Sequence, residues 1–499
     1  MSGDDHRGAA GPSERAPDSE PASGTDDAGS GQTGEASRRR SGRRPGPPDR
    51  ERERWAVVGG GMLGLTLALR LREAGKEVTV FERADRVGGL AGAWSIETPD
   101  GPVTWDRHYH VTLLSDAALR RVLEQLGLDA EMHWVETKTG YFSDGRLSSV
   151  SNTVEFLRLP GLPITSKLRL ALTILHGSRV KDWQQLEQES VEAWLTRWSG
   201  RATFRRFWLP LLRAKLGESW PDANAAFIWA TIQRLYAARR SGLKKEMFGY
   251  VPGGYARVLE RFASVLGAAG VEIRCSSTVE HVRRTEAGLE VSVEGSAPEV
   301  FDHVVVTSDT PTAERLCPDL TDVERARLRG ITYQGIVCAS LVLRSSLSEY
   351  YLTYLMDDLP FTAVVEMTAM VDRAQLGGHA LVFLPKYVGP EDPLFQVPDA
   401  EIERRFLAGL QRVYPTLGRA DVLGVKVSRV RRVFPIPTLG YSRRVPAMTT
   451  SVPGLHLVSS AQIVNGTLNV NETVELAERA AAGLISTGLG TMRGQESRA

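Results

Sequence analysis

Residues 55–94 read WAVVGGGMLGLTLALRLREAGKEVTVFERADRVGGLAGAW, and this stretch decides the fold. A short apolar run at 56–58 meets the glycine motif GGGMLG at 59–64, and an apolar-periodic helix follows. A β-rich run at 77–81 then ends at Glu82, about twenty residues past the turn. A strand, a glycine turn, a helix and a second strand closed by an acid are typical of a dinucleotide-binding βαβ unit.

Each glycine of the motif has its own physical role in such a unit. Gly59 permits the tight turn, Gly61 lets the backbone approach a pyrophosphate, and Gly64 lets the helix sit close to the strand. The free N–H groups and the positive dipole end of the helix face the phosphates. Glu82 is expected to accept hydrogen bonds from the ribose hydroxyls. An acid there argues against a cofactor with a 2′-phosphate.

Composition describes a globular protein with room for two intertwined domains. The chain has 499 residues and a net charge of +1, which gives no argument for nucleic acid as a partner. The three cysteines, Cys275, Cys317 and Cys338, have no metal or redox spacing and suit a reducing cytosol. No apolar run reaches the roughly eighteen residues that a membrane-spanning helix needs. We therefore expect a cytoplasmic protein without a bound metal.

The first fifty-odd residues differ from the rest of the chain. They are rich in Gly, Ser, Pro and charged residues, so 1–53 is predicted to be a disordered tail. Its basic run SRRRSGRRPG at 37–46 could touch an anionic surface, but a solvated tail is the favoured interpretation. A twin-arginine export signal is not predicted, because charged residues at 49–54 separate the arginines from the apolar stretch.

A helical character begins at residue 157 and continues to 240. Tryptophans accumulate there, and basic residues alternate with Leu and Ile. Such faces could rest in a membrane interface, which would place the protein at the inner face of the membrane. The favoured alternative is a helical core that lines a substrate pocket. Strand-like runs at 341–343, 363–366 and 380–385 predict an antiparallel sheet in the same domain.

Five pieces of sequence together resemble the flavin-dependent amine oxidase superfamily. They are VVGGGMLGL, FERADRVGGLAGAW, GYVPGGYARVLERFASVLGAAGVEI, FDHVVVTSD and the closing segment 454–481. The likeness covers 55–484 and is greatest to protoporphyrinogen oxidases and phytoene-desaturase-like enzymes. It is most specific in Arg86-x-Gly88-Gly89. The resemblance implies FAD as cofactor and an α/β fold, a Rossmann-like FAD-binding domain with an inserted α+β substrate domain.

The resemblance also implies domain boundaries and a set of FAD-binding positions. FAD-binding parts are expected at 54–150, 249–325 and 451–488, helical and sheet parts of the substrate domain at 151–248 and 326–450, and a tail at 489–499. In the closing segment, SSAQIVNGTLNVNET stands where the family usually has a Gly-Asp pair, so neutral side chains and backbone must serve there. The residues expected to bind FAD are Gly59, Gly61, Met62, Leu63, Gly64, Glu82, Arg83, Arg86, Gly88, Gly89, Leu90, Ala91, Val279, Ser459, Asn469 and Val470.

Candidates for chemistry come first from the segment DRHYH at 106–110, which the resemblance places beside the flavin ring. Alternation along a strand puts Arg107 and Tyr109 on one face and His108 and His110 on the other. A histidine lining the pocket can move protons or polarise a substrate, so His110 and Tyr109 are candidate catalytic residues. Histidines whose ring nitrogens bond only to backbone within a buried strand are the alternative.

Basic residues supply the remaining candidates. Lys386 follows the strand-like run 380–385 and could hold a water at the flavin, although a solvated loop lysine is the favoured alternative. Arg205, Arg206, Arg213 and Lys215 could bind an acidic substrate, but the exposed edge of an amphipathic helix is favoured.

The sequence therefore predicts an FAD-dependent oxidoreductase that dehydrogenates or desaturates an apolar small molecule, of isoprenoid, porphyrinogen or amine-like type. Oxygen or another acceptor would reoxidise the flavin. Two alternatives stay open: a non-redox flavoenzyme of the UDP-galactopyranose mutase type, and a flavin-binding protein without turnover. A sugar nucleotide would need arginines that converge on its pyrophosphate, with Arg205 and Arg213 as candidates.

Overall fold

The computed structural model describes residues 52–151, 155, 158, 162–240 and 247–496. The predicted tail lies outside these residues up to position 51, and so does the basic run 37–46. The described chain from Arg52 onward forms one compact unit. Its fold class agrees with the prediction: a parallel sheet flanked by helices carries an inserted portion of helices and antiparallel strands. The domain boundaries stay a prediction.

The strands, in chain order, are β1 (Arg54–Val58), β2 (Glu77–Phe81), β3 (Ala93–Ile96), β4 (Val103–Asp106), β5 (Thr112–Leu113), β6 (His133–Glu136), β7 (Lys138–Ser143), β8 (Arg146–Ser149), β9 (Met247–Tyr250), β10 (Glu272–Arg274), β11 (Val279–Thr285), β12 (Gly288–Val293), β13 (Glu299–Phe301), β14 (His303–Val306), β15 (Tyr333–Leu343), β16 (Tyr350–Leu355), β17 (Ala363–Glu366), β18 (Ala380–Val388), β19 (Val422–Pro435) and β20 (Leu455–Leu457).

The α-helices are α1 (Met62–Glu73), α2 (Ala117–Gln125), α3 (Ile164–Arg179), α4 (Trp183–Leu186), α5 (Val191–Ser199), α6 (Arg201–Thr203), α7 (Leu209–Leu216), α8 (Ala225–Arg240), α9 (Gly254–Ala268), α10 (Thr310–Leu316), α11 (Asp322–Arg329), α12 (Asp399–Val413) and α13 (Val470–Glu496). Among the described residues, no helix combines the length and hydropathy that crossing a bilayer requires.

The parallel sheet has the strand order β10-β2-β1-β14-β20. Strand β1 is central and almost wholly buried, and it pairs with β2 on one side and β14 on the other. Helix α1 packs beside it, and the close approach depends on Gly64: a Cβ there would lie 1.9 Å from the carbonyl oxygen of Gly59. The strand, turn, helix and strand predicted from 55–82 are confirmed.

A seven-stranded sheet of order β19-β15-β18-β17-β16-β7-β8 forms the roof of the site. Side chains alternate across β18, so that Phe383 and Tyr387 lie on one face and Leu384 and Val388 on the other. The face of Leu384 packs against α12, and the face of Tyr387 looks toward the parallel sheet. The predicted strand at 380–385 is therefore longer and includes Lys386.

One prediction is wrong in its geometry: the segment 107–111 is not a strand. Strand β4 ends at Asp106, and β5 begins only at Thr112. Between them the chain passes from the β3–β4 hairpin to the small sheet of β5, β9 and β6, so no neighbouring strand is available for pairing. Alternation therefore does not hold, and all of 107–111 line the same cavity.

Candidate active site

A cavity of about 2830 Å³ lies between the parallel sheet, the antiparallel sheet and the helices α3–α8. Pockets for a single small ligand are usually about 300–1,000 Å³, so this space has room for a large cofactor and a substrate together. All of the residues predicted to bind FAD line it except Gly64, whose place is the α1–β1 contact.

One end of the cavity is a cradle of backbone built by two glycine segments. The N-terminus of α1 opens on it, and Gly61 pairs with Gly88 as a short parallel bridge. Gly88 and Gly89 both have positive φ, a conformation that glycine adopts without strain. Among the described residues, a Cβ on Gly61 would meet no atom closer than Gly89 Cα at 3.7 Å. The space beside Gly61 is therefore not filled by the packing of the described chain.

The carboxylate of Glu82 is fixed at the end of β2. It accepts hydrogen bonds from the backbone N–H groups of Gly60, at 2.7 Å, and Ala84, at 2.8 Å. Both bonds hold the acid beside the glycine turn, where a ribose would follow the pyrophosphate. Backbone N–H groups, a helix N-terminus and an acid are the donor and acceptor set that a dinucleotide without a 2′-phosphate needs, so these residues fit FAD.

The closing segment contributes the opposite wall of the cradle. Ser459 is buried; its N–H donates to Gln462 Oε1 at 2.7 Å, and its hydroxyl accepts from the N–H of Ala461. Asn469 caps α13, accepting from the N–H of Glu472 at 3.0 Å. The absent Gly-Asp pair is thus replaced by neutral side chains that cap two helical turns next to the cavity.

The segment 107–111 joins the cradle to the sheet roof. Arg107 donates to the carbonyl oxygen of Gly89 at 2.5 Å. The ring of His108 lies between the carbonyl oxygen of Leu90 and the hydroxyl of Ser428, at 3.5 and 3.0 Å. Because a carbonyl only accepts, Nδ1 carries the proton and Nε2 accepts from Ser428. Burial lowers the pKa of His108 to about 3, so this histidine is neutral and structural.

His110 faces the cavity in a different environment. Its Nδ1 lies 3.6 Å from Oδ2 of Asp106 and has no hydrogen-bond partner among the described residues. Asp106 is buried and accepts from the N–H of Tyr255 at 2.7 Å. A carboxylate fixed this close to an imidazole comes within hydrogen-bonding reach after a small movement of the ring. The pair can therefore hold or move a proton at the edge of the cavity.

A second cluster of polar side chains lies in the cavity, and the sequence did not predict that its members come together. The hydroxyls of Tyr109 and Tyr387 are 3.1 Å apart, and Nζ of Lys215 lies 3.2 Å from that of Tyr387. Lysine only donates, so Tyr387 accepts from Lys215, and either phenol can donate the hydrogen bond between Tyr109 and Tyr387. Burial raises the pKa of Tyr387 to about 12 and that of Tyr109 well above its usual value. Both phenols therefore stay protonated at neutral pH.

The other basic candidates lie elsewhere. Lys386 is not among the cavity-lining residues; it follows Leu384 on the face of β18 that packs toward α12. Arg205, Arg206 and Arg213 are exposed, as the amphipathic-helix interpretation predicts, whereas Lys215 of the same run reaches the cavity. Helical spacing is the sequence signal that could have identified Lys215, because Lys215 follows Leu211 by four positions and both side chains line the cavity.

The far end of the cavity is apolar. A π-helical turn, Phe204–Trp208, precedes α7 and helps to present Phe207 and Trp208 to it. Of the lining residues contributed by α3–α8, all but Lys215, Thr231 and Arg234 are apolar: Leu170, Ala171, Ile174, Leu175, Phe207, Trp208, Leu211, Leu212, Ala214, Phe227, Ile228 and Ile232.

Comparison with known proteins gives two family matches. Residues 63–485 match the family described as flavin containing amine oxidoreductase. Residues 9–94 match the family described as pyridine nucleotide-disulphide oxidoreductase. The first match begins after Gly61 and includes the second glycine segment of the cradle, the roof and the apolar end of the cavity.

Individual relatives are distant. The zeta-carotene desaturase of Synechocystis sp. is 21% identical over 461 residues, which are 82% of this chain and 92% of that protein. In two other curated relatives the matching stretch covers only 14% and 60% of the relative. The structure of a putative protoporphyrinogen oxidase from Exiguobacterium sp. has a TM-score of 0.67 at 18% identity, covering 87% of this chain and 99% of that chain. A reduced UDP-galactopyranose mutase also has 0.67, at 15% identity, covering 87% and 96%.

Proposed function

The chain belongs to the family of flavin containing amine oxidoreductases, and from this premise we propose that it dehydrogenates or desaturates an apolar molecule of isoprenoid type. The protein is a flavin-dependent oxidoreductase with FAD as cofactor. The observation that carries the substrate proposal is the apolar lining of the cavity by α3–α8. A relative named zeta-carotene desaturase, aligned over 92% of its length, supports the same class of substrate.

We assign the FAD contacts to the cradle. Gly61, Gly88 and Gly89 give the pyrophosphate access to backbone N–H groups, and Glu82 accepts from the ribose hydroxyls. The remaining predicted residues that line the cavity border this path. When bound, FAD supplies the hydride acceptor, and the protein supplies binding, orientation and exclusion of water.

The polar groups at the middle of the cavity are proposed to position the substrate and its protons. Lys215 donates to Tyr387, whose hydroxyl is bonded to that of Tyr109, so the three groups form one hydrogen-bonded chain that lines the cavity. The imidazole of His110, with Asp106 behind it, is the group best placed to accept a proton. Lys386, on the other face of the sheet, is not part of this proposal.

A mutase function has less support in the site. The arginines expected for a sugar nucleotide, Arg205 and Arg213, are exposed and do not line the cavity. Of the β19 arginines that do line it, Arg429 pairs with Asp399 and Arg432 with Asp309, while Arg431 donates to the carbonyl oxygen of Pro390. Each of these guanidinium groups therefore already uses part of its hydrogen-bonding capacity within the protein.

We further propose that the protein works in the cytoplasm and contacts the inner face of the membrane peripherally. The free thiols of Cys275, Cys317 and Cys338 suit a reducing compartment. An isoprenoid substrate is itself dissolved in membranes, so an enzyme that draws on it benefits from contact with lipid.

Anaerobic reduction of the bound flavin tests the function. The holoenzyme is mixed with a polyisoprenoid, a porphyrinogen, an amine and a sugar nucleotide in turn, and bleaching of the flavin absorbance is followed. We expect bleaching by the polyisoprenoid alone. Bleaching by the amine or the porphyrinogen alone would overturn the substrate proposal. No bleaching by any compound, together with turnover of the sugar nucleotide by the reduced protein, would favour the mutase.

A further inference from the structure

Helix α3 presents a row of large apolar side chains to solvent. Ile164, Leu168, Leu172 and Leu175 are exposed by 58%, 57%, 61% and 36%, and their spacing places them on one face of the helix. We call these four residues the α3 stripe. Trp198, 40% exposed, stacks on His176 of the same helix with ring centroids 3.6 Å apart. Contiguous exposed apolar surface of this kind marks an interaction site.

The α3 stripe borders directly on the cavity. Leu170, Ala171, Ile174 and Leu175 of α3 line the apolar end of the cavity, and of these Ala171 and Leu175 are also exposed. One edge of a single helix therefore separates the stripe from the proposed substrate space. An apolar molecule that lies against the stripe needs to pass only this edge to enter.

The charged side chains of α3 itself have one sign. Between Glu155 and Asp182 the sequence has no acidic residue. Arg169, Arg179 and Lys181 are exposed, and helical spacing puts Arg179 at the end of the stripe, seven positions after Leu172. An apolar helix face with basic residues at its margin and an adjacent tryptophan matches the boundary between acyl chains and anionic headgroups.

We propose that the α3 stripe docks on a bilayer containing anionic lipid, with Arg179 and Lys181 at the headgroups, and that the substrate enters the cavity from the lipid past Ala171 and Leu175. The docking part of the proposal rests on the exposed apolar side chains and the basic charge of α3. The entry route rests in addition on the proposed function.

Vesicle flotation of the full-length holoenzyme without substrate tests the docking. Vesicles of phosphatidylcholine with phosphatidylglycerol are compared with phosphatidylcholine alone, at low and high salt. We expect binding that needs phosphatidylglycerol and weakens with salt. The double variant Leu168→Ser/Leu172→Ser should have an affinity for the vesicles that is lower by about tenfold or more, since the affinity scales with buried apolar area. Binding of this variant equal to that of the wild type would overturn the proposal.

Matched controls separate the stripe from other surfaces. Val323→Ser/Leu439→Ser removes two exposed apolar side chains of the rest of the described surface and should bind like the wild type. Arg179→Gln/Lys181→Gln should lose the preference for phosphatidylglycerol and keep its fold, because both residues are exposed. Vesicle binding that is lost on replacing Arg38, Arg39 and Arg40 by Gln, and not in the stripe variant, would assign it to the N-terminal basic run and overturn the proposal.

Sedimentation velocity tests a second copy of the chain as the occupant. A dimer that Leu168→Ser/Leu172→Ser dissociates, in a protein that does not bind vesicles, would overturn the proposal.

The entry route is tested by flavin reduction with the polyisoprenoid in vesicles and in detergent micelles. The stripe variant should slow reduction only from vesicles. If vesicles bind as expected but no isoprenoid reduces the flavin in either form, the proposed function and the entry route fail while the docking stands.

Discussion

Gly61→Ala is the sharpest test of the cofactor cradle, because the structure separates its effect on FAD from its effect on folding. Gly61 has φ −76°, so alanine fits its backbone, and the added Cβ has its nearest protein neighbour at 3.7 Å. As the N-cap of α1, an alanine should cost the apo-protein only about 0.5–1 kcal/mol. The same methyl group occupies the space where the pyrophosphate must approach the backbone.

The expected loss of FAD affinity follows from overpacking. Forcing a methyl group into a close contact costs about 1–3 kcal/mol, which is roughly a 5- to 150-fold weaker binding constant. Two other glycines are matched controls. A Cβ on Gly64 would lie 1.9 Å from a carbonyl oxygen, so Gly64→Ala should destabilise the apo-protein itself by about 3 kcal/mol or more. A Cβ on Gly267, in α9, would have no neighbour within 4 Å among the described residues, so Gly267→Ala should be tolerated and stabilise the apo-protein by up to about 1 kcal/mol.

Titration of the apo-protein with FAD, followed by quenching of flavin fluorescence, gives the affinities, and urea denaturation of the apo-protein gives the stabilities. The assignment of the cradle to FAD predicts that Gly61→Ala weakens FAD binding at nearly unchanged stability, and that Gly64→Ala lowers the stability. It is refuted if Gly61→Ala binds FAD like the wild type. It is equally refuted if Gly61→Ala unfolds at the same urea concentration as Gly64→Ala.

Three further outcomes are expected. Lys215→Met and Tyr109→Phe should each slow anaerobic flavin reduction about 10- to 1,000-fold, whereas Lys386→Met, on the opposite face of β18, should match the wild type. His110→Ala should slow reduction over the same range without loss of FAD, measured by stopped flow with the flavin content determined in parallel. His108 is neutral in the folded protein, so acid favours the unfolded state, in which the ring can take up a proton. Between pH 6.5 and pH 5 the free energy of unfolding of the wild type, measured by urea titration, should fall by about 2 kcal/mol more than that of His108→Gln. Equal falls would contradict the assignment of His108 as neutral.

The parts of the fold that the sequence predicts are those encoded by neighbouring residues. The strand, turn, helix and strand of 55–82 follow from local periodicity and glycine spacing. The dipeptide Asp144-Gly145 is a local hairpin signal, and it forms the turn between β7 and β8, where both residues have positive φ, 53° and 70°. The segment 107–111 could not be predicted in this way, because a strand needs a partner and the partner is set by topology.

The same distinction between local and distant residues applies to the candidate site. The glycine cradle is a local motif, and its residues reach the cavity as the sequence predicts. The pairs Tyr109–Tyr387 and Lys215–Tyr387 join residues 278 and 172 positions apart, which no local pattern can reveal. A one-residue step along β18 also decides between Lys386 and Tyr387, because successive strand residues point to opposite faces. Predicting that strand to end at 385 left its face assignment open.

The irregular segment 107–111 connects the two halves of the cavity, the glycine cradle and the sheet roof. Arg107 bonds to the carbonyl oxygen of Gly89 in the cradle, and His108 bridges Leu90 of the cradle to Ser428 of β19 in the roof. Tyr109 and His110 follow immediately and also line the cavity. A regular strand would turn alternate residues away from this space. Leaving the strand lets four consecutive residues reach the cavity: Arg107 bonds to the cradle, His108 joins the cradle to the roof, and Tyr109 and His110 are the two that we propose to face the substrate.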